Sequence, residues 1–303
     1  MEYPKKLMDF EKKFATDEQC REYLFQLRYP DGFCCPKCGF NKAWYTERGK
    51  YQCQSCGKDT SVLAGTIFHG THTPLTLWFR AIWYVVAQKH GTNALNLQRI
   101  LGLGSYQTAW TMLHKLRRAM VRPGREKLQG RIEVDEAYIG GVSHGGKRGR
   151  GAENKVLVAI AVEINDNKIG RVRFKVIEDA SAESLHGFVT EIAEKGSMII
   201  TDGWSGYNGL SAKGYHQEVT DKKDDDTLLP HVHTTISLLK RWLMGTLQGA
   251  CSKDHLAYYL DEYTFRYNRR KSKSRGLLFL RLLENAVQIE ATTYKQMVNR
   301  NND

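Results

Sequence analysis

Two C-x-x-C-G knuckles, Cys35-Pro36-Lys37-Cys38-Gly39 and Cys53-Gln54-Ser55-Cys56-Gly57, leave this chain little choice about how its front end folds. Two such turns offer four thiolates to one tetrahedral Zn²⁺, and the glycine closing each lets backbone amides approach the sulfurs. A redox pair would need only one of them. Cys34 falls outside the spacing, so the expected ligands are Cys35, Cys38, Cys53 and Cys56, with a structural zinc holding a segment too small for its own core. Of the seven cysteines only Cys251 lies beyond the first fifth of the chain. An odd, clustered set, with no export pattern at Met1-Glu2-Tyr3-Pro4-Lys5-Lys6, points to metal rather than disulfides and to the cytoplasm. A ribbon of this kind grips either DNA or protein, so it does not decide function alone.

Charge narrows the partner. Over 303 residues, 45 lysines and arginines stand against 33 acids, a net +12, which favours a polyanion, with nucleic acid ahead of an anionic membrane surface. The longest apolar runs, 81–87 and 156–162, fall far short of the ~20 residues that cross a bilayer. Residues 60–125 contain no Asp or Glu while carrying Arg80, Lys89, Arg99, Lys115, Arg117, Arg118, Arg122 and Arg125. Such a stretch is either a phosphate-facing surface or a solvated basic face.

Periodicity organises the rest, with no internal repeat. Helices are expected over 17–27 and over 75–89, the latter apolar on most sides behind Pro74. Two amphipathic runs, 92–101 and 105–121, flank Gly102-Leu103-Gly104 in a helix-turn-helix pattern, which serves as a DNA reader or as an ordinary helical hairpin. As a reader it would use Gln107 and Thr108 on base edges and Lys115, Arg117 and Arg118 on phosphates. After Pro123-Gly124 the period shifts towards two: strands are expected over 131–139, 155–164 and 170–177, a helix over 182–194, a strand over 197–201, another over 215–220 and a helix over 231–247. That order suggests a mixed sheet flanked by helices.

Acids fall at two topologically matched places. In Ile132-Glu133-Val134-Asp135-Glu136-Ala137-Tyr138, alternation puts Glu133 and Asp135 on one face if Ile132 and Val134 face a core. Asp202 ends the fourth strand, where α/β sheets deliver side chains to a crevice. Acids from a first and a fourth strand lie side by side in the ribonuclease H-like fold, where they can bridge two Mg²⁺ ions that stabilise the attacking and leaving oxygens of a phosphodiester displacement. Oxygen ligands suit Mg²⁺ or Mn²⁺. Glu133, Glu136, Asp179 and the Asp224-Asp225-Asp226 run are weaker candidates.

The Cys35 to Cys56 ribbon is followed by Ala64-Gly65-Thr66-Ile67-Phe68, Val134-Asp135-Glu136, Thr201-Asp202-Gly203, His231-Val232-His233-Thr234 running into Leu238-Leu239-Lys240-Arg241, and Phe265-Arg266-Tyr267-Asn268-Arg269-Arg270. In combination these resemble the zinc-ribbon insertion-sequence transposases of the DDE class. The resemblance implies a multidomain α+β protein: a zinc ribbon over 17–62, a helix-turn-helix segment over 70–124, an α/β ribonuclease H-like catalytic domain over 125–276 and a C-terminal helical tail over 277–303. It further implies Mg²⁺- or Mn²⁺-dependent cleavage and strand transfer of double-stranded DNA at terminal inverted repeats. The enzyme would be a homo-oligomer when assembled on DNA, bound to no membrane and working at the bacterial nucleoid.

In that family the catalytic set runs Asp, Asp, Asn or Glu, then Lys, with the third member seven residues before the lysine; here Asp135, Asp202, His233 and Lys240 hold those places. Seven residues are two helical turns, so His233 and Lys240 share a face, and His231 is expected to point away. Imidazole in place of a carboxylate either completes the metal site with less negative charge or merely caps the helix. A dead site would leave a site-specific DNA-binding protein, and one without the joining step a nuclease. Lys240 contacts phosphate or is simply solvated. Arg266, Arg269, Arg270, Lys271, Lys273 and Arg275, interleaved with Tyr263, Phe265 and Tyr267, would line a strand-binding groove, although aromatics at such spacings are as often core.

Overall fold

The computed structural model describes residues 1–122, 124–140, 155–220, 228–247 and 253–298; Pro123, Cys251 and the Asp224-Asp225-Asp226 run lie outside them. The chain divides into two compact units, Met1–Arg122 together with Ser272–Asp303, and Pro123–Lys271.

The first unit opens with α1 (Leu7–Lys13) and α2 (Asp17–Arg28). Thr16 and Gln19 close a capping box at the start of α2, each side chain taking a backbone N–H of the other. A ribbon sheet follows, of β1 (Ala43–Tyr45), β2 (Tyr51–Cys53) and β3 (Asp59–Thr60), all antiparallel. Next come α3 (Leu75–Ala87), α4 (Ala94–Leu101) and α5 (Tyr106–Ala119). Pro74 offers α3 no capping oxygen, and Asp17 supplies it from a distance, its carboxylate accepting the N–H groups of Leu75 and Thr76 at 3.1 and 3.0 Å. The helix-turn-helix pair forms as expected: α4 ends at Gly102 and Ser105 caps α5 by accepting from the Thr108 amide.

The second unit carries β4 (Arg131–Gly140), β5 (Lys155–Asn165), β6 (Lys168–Val176), α6 (Ala182–Ile192), β7 (Met198–Thr201), β8 (His216–Val219), α7 (Pro230–Leu247) and α8 (Leu256–Asn268). Its sheet has the order β6-β5-β4-β7-β8. The β4–β5 and β5–β6 pairs are antiparallel and the β4–β7 and β7–β8 pairs parallel. This is the mixed sheet expected, with the unit's first and fourth strands as direct neighbours. Period-two alternation sorts its side chains onto two cores. Ile132, Val134, Ala159, Ala161 and Ile199 pack with Leu185, Phe188, Val189 and Ile192 of α6 on one face. Val158, Ile160, Val162 and Ile200 pack with Val232, Ile236, Leu239 and Leu243 of α7 and Tyr259, Leu260 and Tyr263 of α8 on the other. Covered on both faces, β5 reads as an almost unbroken apolar run.

The chain then returns to the first unit with α9 (Arg275–Ala286) and α10 (Tyr294–Val298). Phe279 of α9 meets Phe10, Phe14, Phe79 and Trp83 at ring-centroid distances of 5.4 to 5.8 Å. That aromatic cluster explains α1, which sequence periodicity leaves as a polar opening: its only buried residue is Phe10, stacked on Trp83 at 4.9 Å. Among the described residues no helix is long and apolar enough to cross a membrane.

Candidate active site

The ribbon brings its four cysteines together. Among the described residues it holds the one group of three or more Cys, His or acidic side chains whose ligand atoms all lie within 4.8 Å: Cys35, Cys38, Cys53 and Cys56. Gly39 and Gly57, at φ 73° and 67°, turn each knuckle so that their amides reach the Cys35 and Cys53 carbonyls at 2.9 and 3.0 Å. The Cys35–Cys56 and Cys38–Cys53 sulfurs stand 3.6 Å apart, against edges of roughly 3.8 Å for a tetrahedral Zn²⁺ thiolate site. Against burial, the Lys37 and Cys38 amides and the neighbouring thiols hold Cys35 down to about 6. Against the Phe40 amide, burial and the other sulfurs push Cys38 up to about 12. Four sulfurs this close cannot all carry charge without a cation between them, so the donor set fits zinc. Cys34 is exposed, its thiol 3.7 Å from the Gly39 carbonyl.

The acids assemble differently. Arg131 to Glu133 of β4 pair in register with Met198 to Ile200 of β7, and extending that register by two places sets Asp135 opposite Asp202. His233 reaches in from α7, its Nε2 3.2 Å from Asp135 Oδ2, with 14% of the Asp135 side chain exposed against 52% for His233. Burial raises the proton affinity of Asp135; the Glu136 amide and His233 pull it back, the Asp202 charge adds to the rise, and the net direction is upward. Asp202 accepts the Trp204 amide at 3.0 Å. This trio is set more widely than the thiolate cluster. Lys240 lies exposed on α7, two turns beyond His233.

Three sequence expectations change here. His231 does not point away: its Nδ1 is 2.6 Å from Glu133 Oε1 and its Nε2 3.2 Å from the Asn167 carbonyl. It sits in the first turn of a helix that begins over β4, where a side chain can drop past the helix end rather than follow the wheel. Arg117 leaves the phosphate-facing set, since it is buried at 2% exposure and donates to the Thr92 carbonyl at 3.3 Å. Arg266 leaves the groove, because it pairs with the fully buried Glu262 at 2.8 Å, and Tyr263 and Phe265 belong to the core.

The remaining candidates are mixed. Gln107 is exposed and Thr108 half-buried, its hydroxyl 2.9 Å from that of Ser105. Lys115 is half-buried, and burial lowers its proton affinity. Arg118 donates to the Thr292 hydroxyl at 2.6 Å. Arg269 lies over Phe265 at 4.2 Å; Arg270 lies over Tyr267 at 4.3 Å and donates to the Gly170 and Ile169 carbonyls. Asp179 accepts from the Ser181 amide and the Ser184 hydroxyl, which makes it a turn residue at the start of α6. Sequence reading missed Tyr207, which is fully buried five residues past Asp202 and donates to Glu136 Oε2 at 2.8 Å. The only signal for it was its place in Asp202-Gly203-Trp204-Ser205-Gly206-Tyr207.

Two family models fall on the two regions just described. Residues 127–268 match the ISXO2-like transposase domain and residues 15–59 a transposase zinc-ribbon domain. An uncharacterized protein in transposable element ISH50 of Halobacterium salinarum is 24% identical over 279 residues, covering 84% of this chain and 92% of that protein. Two solved structures, the Mos1 transposase paired-end complex with left transposon end and the Mos1 mariner paired end complex with Mn, show a distant likeness. Each has TM-score 0.32 and 11% identity over 73% of this chain and 78% of theirs. The chain thus carries an ISXO2-like transposase domain over its acid-bearing sheet and a transposase zinc-ribbon domain over its cysteine ribbon.

Proposed function

We propose that this transposase cuts and joins DNA at the terminal inverted repeats of an insertion sequence, as a DDE-class enzyme dependent on Mg²⁺ or Mn²⁺. The observation that carries the reading is the register that sets Asp202 opposite Asp135 across β4 and β7, with the His233 imidazole 3.2 Å from the Asp135 carboxylate. Such crowding of negative charge is what a divalent cation relieves, and two carboxylates with one imidazole suit Mn²⁺ and, less favourably, Mg²⁺. When bound there, the ion would supply charge stabilisation to the phosphodiester being displaced. Asp135 in β4 and Asp202 just past the end of β7 would hold it through their carboxylates, and His233 of α7 would add an imidazole donor. Lys240, on the same face of α7, meets a phosphate near the scissile bond. Water opens the strand at the element end, and the freed 3′-hydroxyl then attacks target DNA, with no covalent protein intermediate. Joining two ends requires at least two copies of the chain on the DNA.

Recognition falls to α5, with Gln107 and Thr108 reading base edges and Lys115 and Arg118 steadying phosphates. Arg269 and Arg270 contact the DNA backbone as cations of the basic segment that follows α8. Cys35, Cys38, Cys53 and Cys56 hold a structural Zn²⁺. The test is strand transfer on an end-containing duplex in Mg²⁺ or Mn²⁺. Asp135→Ala and Asp202→Ala should each lose joining by about a thousandfold or more, equivalent to several kcal/mol of transition-state stabilisation. Full activity in both variants overturns the assignment. Wild-type protein that binds ends tightly but never cuts in either metal would be a DNA-binding derivative instead.

A further inference from the structure

Asp135 has a carboxylate on either side of it in β4, Glu133 two places before and Glu136 one place after, and the pleat sends these two to opposite faces of the sheet. We propose that both are positioning residues, each bolting to the strand one of the two elements that bring the other site members to Asp135.

Glu133, at 3% exposure, commits both oxygens to the start of α7. Oε2 accepts the Val232 amide at 2.7 Å and Oε1 lies 2.6 Å from His231 Nδ1. A helix N-terminus leaves orphan N–H groups and a positive dipole end, and a buried carboxylate answers both. The His231 ring is fixed at its far nitrogen as well, because a carbonyl only accepts, so Nε2 must donate to Asn167 in the turn between β5 and β6. The next residue along the helix from Val232 is His233. The bolt therefore sets the height and rotation at which His233 meets Asp135.

Glu136 does the corresponding work on the other face. It accepts from the Tyr207 hydroxyl at 2.8 Å, and Tyr207 ends the segment that starts at Asp202. Within that segment the Trp204 amide donates to Asp202 and the Trp204 ring N–H donates to the Ala180 carbonyl at 2.9 Å. Gly206 runs so close to the chain that a Cβ there would stand 2.6 Å from the Ala180 oxygen. Asp202 is thereby tied to the strand that carries Asp135, through a tyrosine with no exposed surface.

The inference rests on reading Asp135, Asp202 and His233 as one cation site, and a paired measurement separates the two claims. Mn²⁺ would be titrated into DNA-free, zinc-loaded protein and end cleavage measured on the same preparations, with thermal melting to confirm folding. Glu133→Ala, Glu136→Ala and Tyr207→Phe should weaken Mn²⁺ binding and cleavage by about 10–100-fold, the usual cost of removing a partner that orients a ligand. Glu136→Gln keeps the acceptor for the Tyr207 hydroxyl, and Glu133→Gln keeps an acceptor for the Val232 amide while its NH2 can donate to Nδ1 of a neutral His231, so both should stay near wild type. Tyr207→Phe removes a single hydroxyl and carries the test if an alanine variant does not fold. Glutamine variants as weak as the alanine ones would overturn the proposal, since the charges would then act on the cation directly. Alanine variants and Tyr207→Phe indistinguishable from wild type would overturn it too. Wild-type protein that neither binds Mn²⁺ nor cuts would overturn the reading of the site, and the inference with it.

Discussion

The chain gathers ligand-bearing side chains in two places, and builds them in opposite ways. The ribbon draws four cysteines from one short stretch and packs little around them: Phe33, Cys35 and Cys53 are buried, with Phe25, Ala43 and Tyr51 leaning in. The acidic site draws Asp135, Asp202 and His233 from two strands and a helix, and an apolar cluster on each face of the sheet holds those elements still. With the zinc proposed above, the ribbon would depend on an ion for its fold, whereas in the second unit apolar packing positions the acids and the histidine. Stability and chemistry should therefore separate under perturbation.

The largest separation should come from zinc. Chelation, or Cys38→Ser, removes a structural ion of a kind worth roughly 10–16 kcal/mol in small zinc modules. Amide hydrogen exchange should then show Cys35, Gly39, Cys53 and Gly57 losing protection while Val158 to Val162 in β5 keep theirs. Equal loss in both places would dissolve the contrast. A smaller effect belongs to the sheet: Ile160, fully buried in β5, should cost roughly 2–5 kcal/mol of unfolding free energy on truncation to alanine. Urea unfolding reads this, and a negligible change would mean that packing under α7 is not what holds the site.

The smallest effect lies at the acids and is a matter of sign. Burial, then the Asp202 charge, keep Asp135 above its ordinary range. The folded chain thus holds that proton more tightly than the unfolded one, so stability falls as pH rises through the ordinary carboxylate range and on through the raised value. Asp202→Asn should raise the melting temperature of metal-free protein at neutral pH, and the gain should shrink in acid as Asp135 takes up its proton. A lower melting temperature at neutral pH would show that the two carboxylates do not repel each other.

What the sequence made legible follows the same division. Ribbon ligands are local, so their spacing is nearly their geometry, and all four cysteines meet. Periodicity likewise located α2 to α7 and β4 to β8, and alternation along β4 placed Asp135 on the face that α7 covers. What stayed hidden depends on neighbours remote in the chain. The acid-free stretch counts charges but cannot see that Arg117 is spent on the Thr92 carbonyl. A helical wheel turns His231 away because it assumes one long contact side, and α7 starts where both His231 and His233 can reach the strand. Tyr207 and Phe10 acquire meaning only from Glu136 and Phe279, which no local pattern connects to them.

Whether Asp135, Asp202 and His233 share one divalent ion is the point on which the account stands. Pulsed electron paramagnetic resonance of Mn²⁺ bound to the zinc-loaded protein tests it directly. The account predicts imidazole-nitrogen modulation in the wild type, its disappearance in His233→Gln, and loss of the bound Mn²⁺ signal in Asp135→Ala. Mn²⁺ that binds without nitrogen coupling, or coupling that survives in His233→Gln, would contradict it.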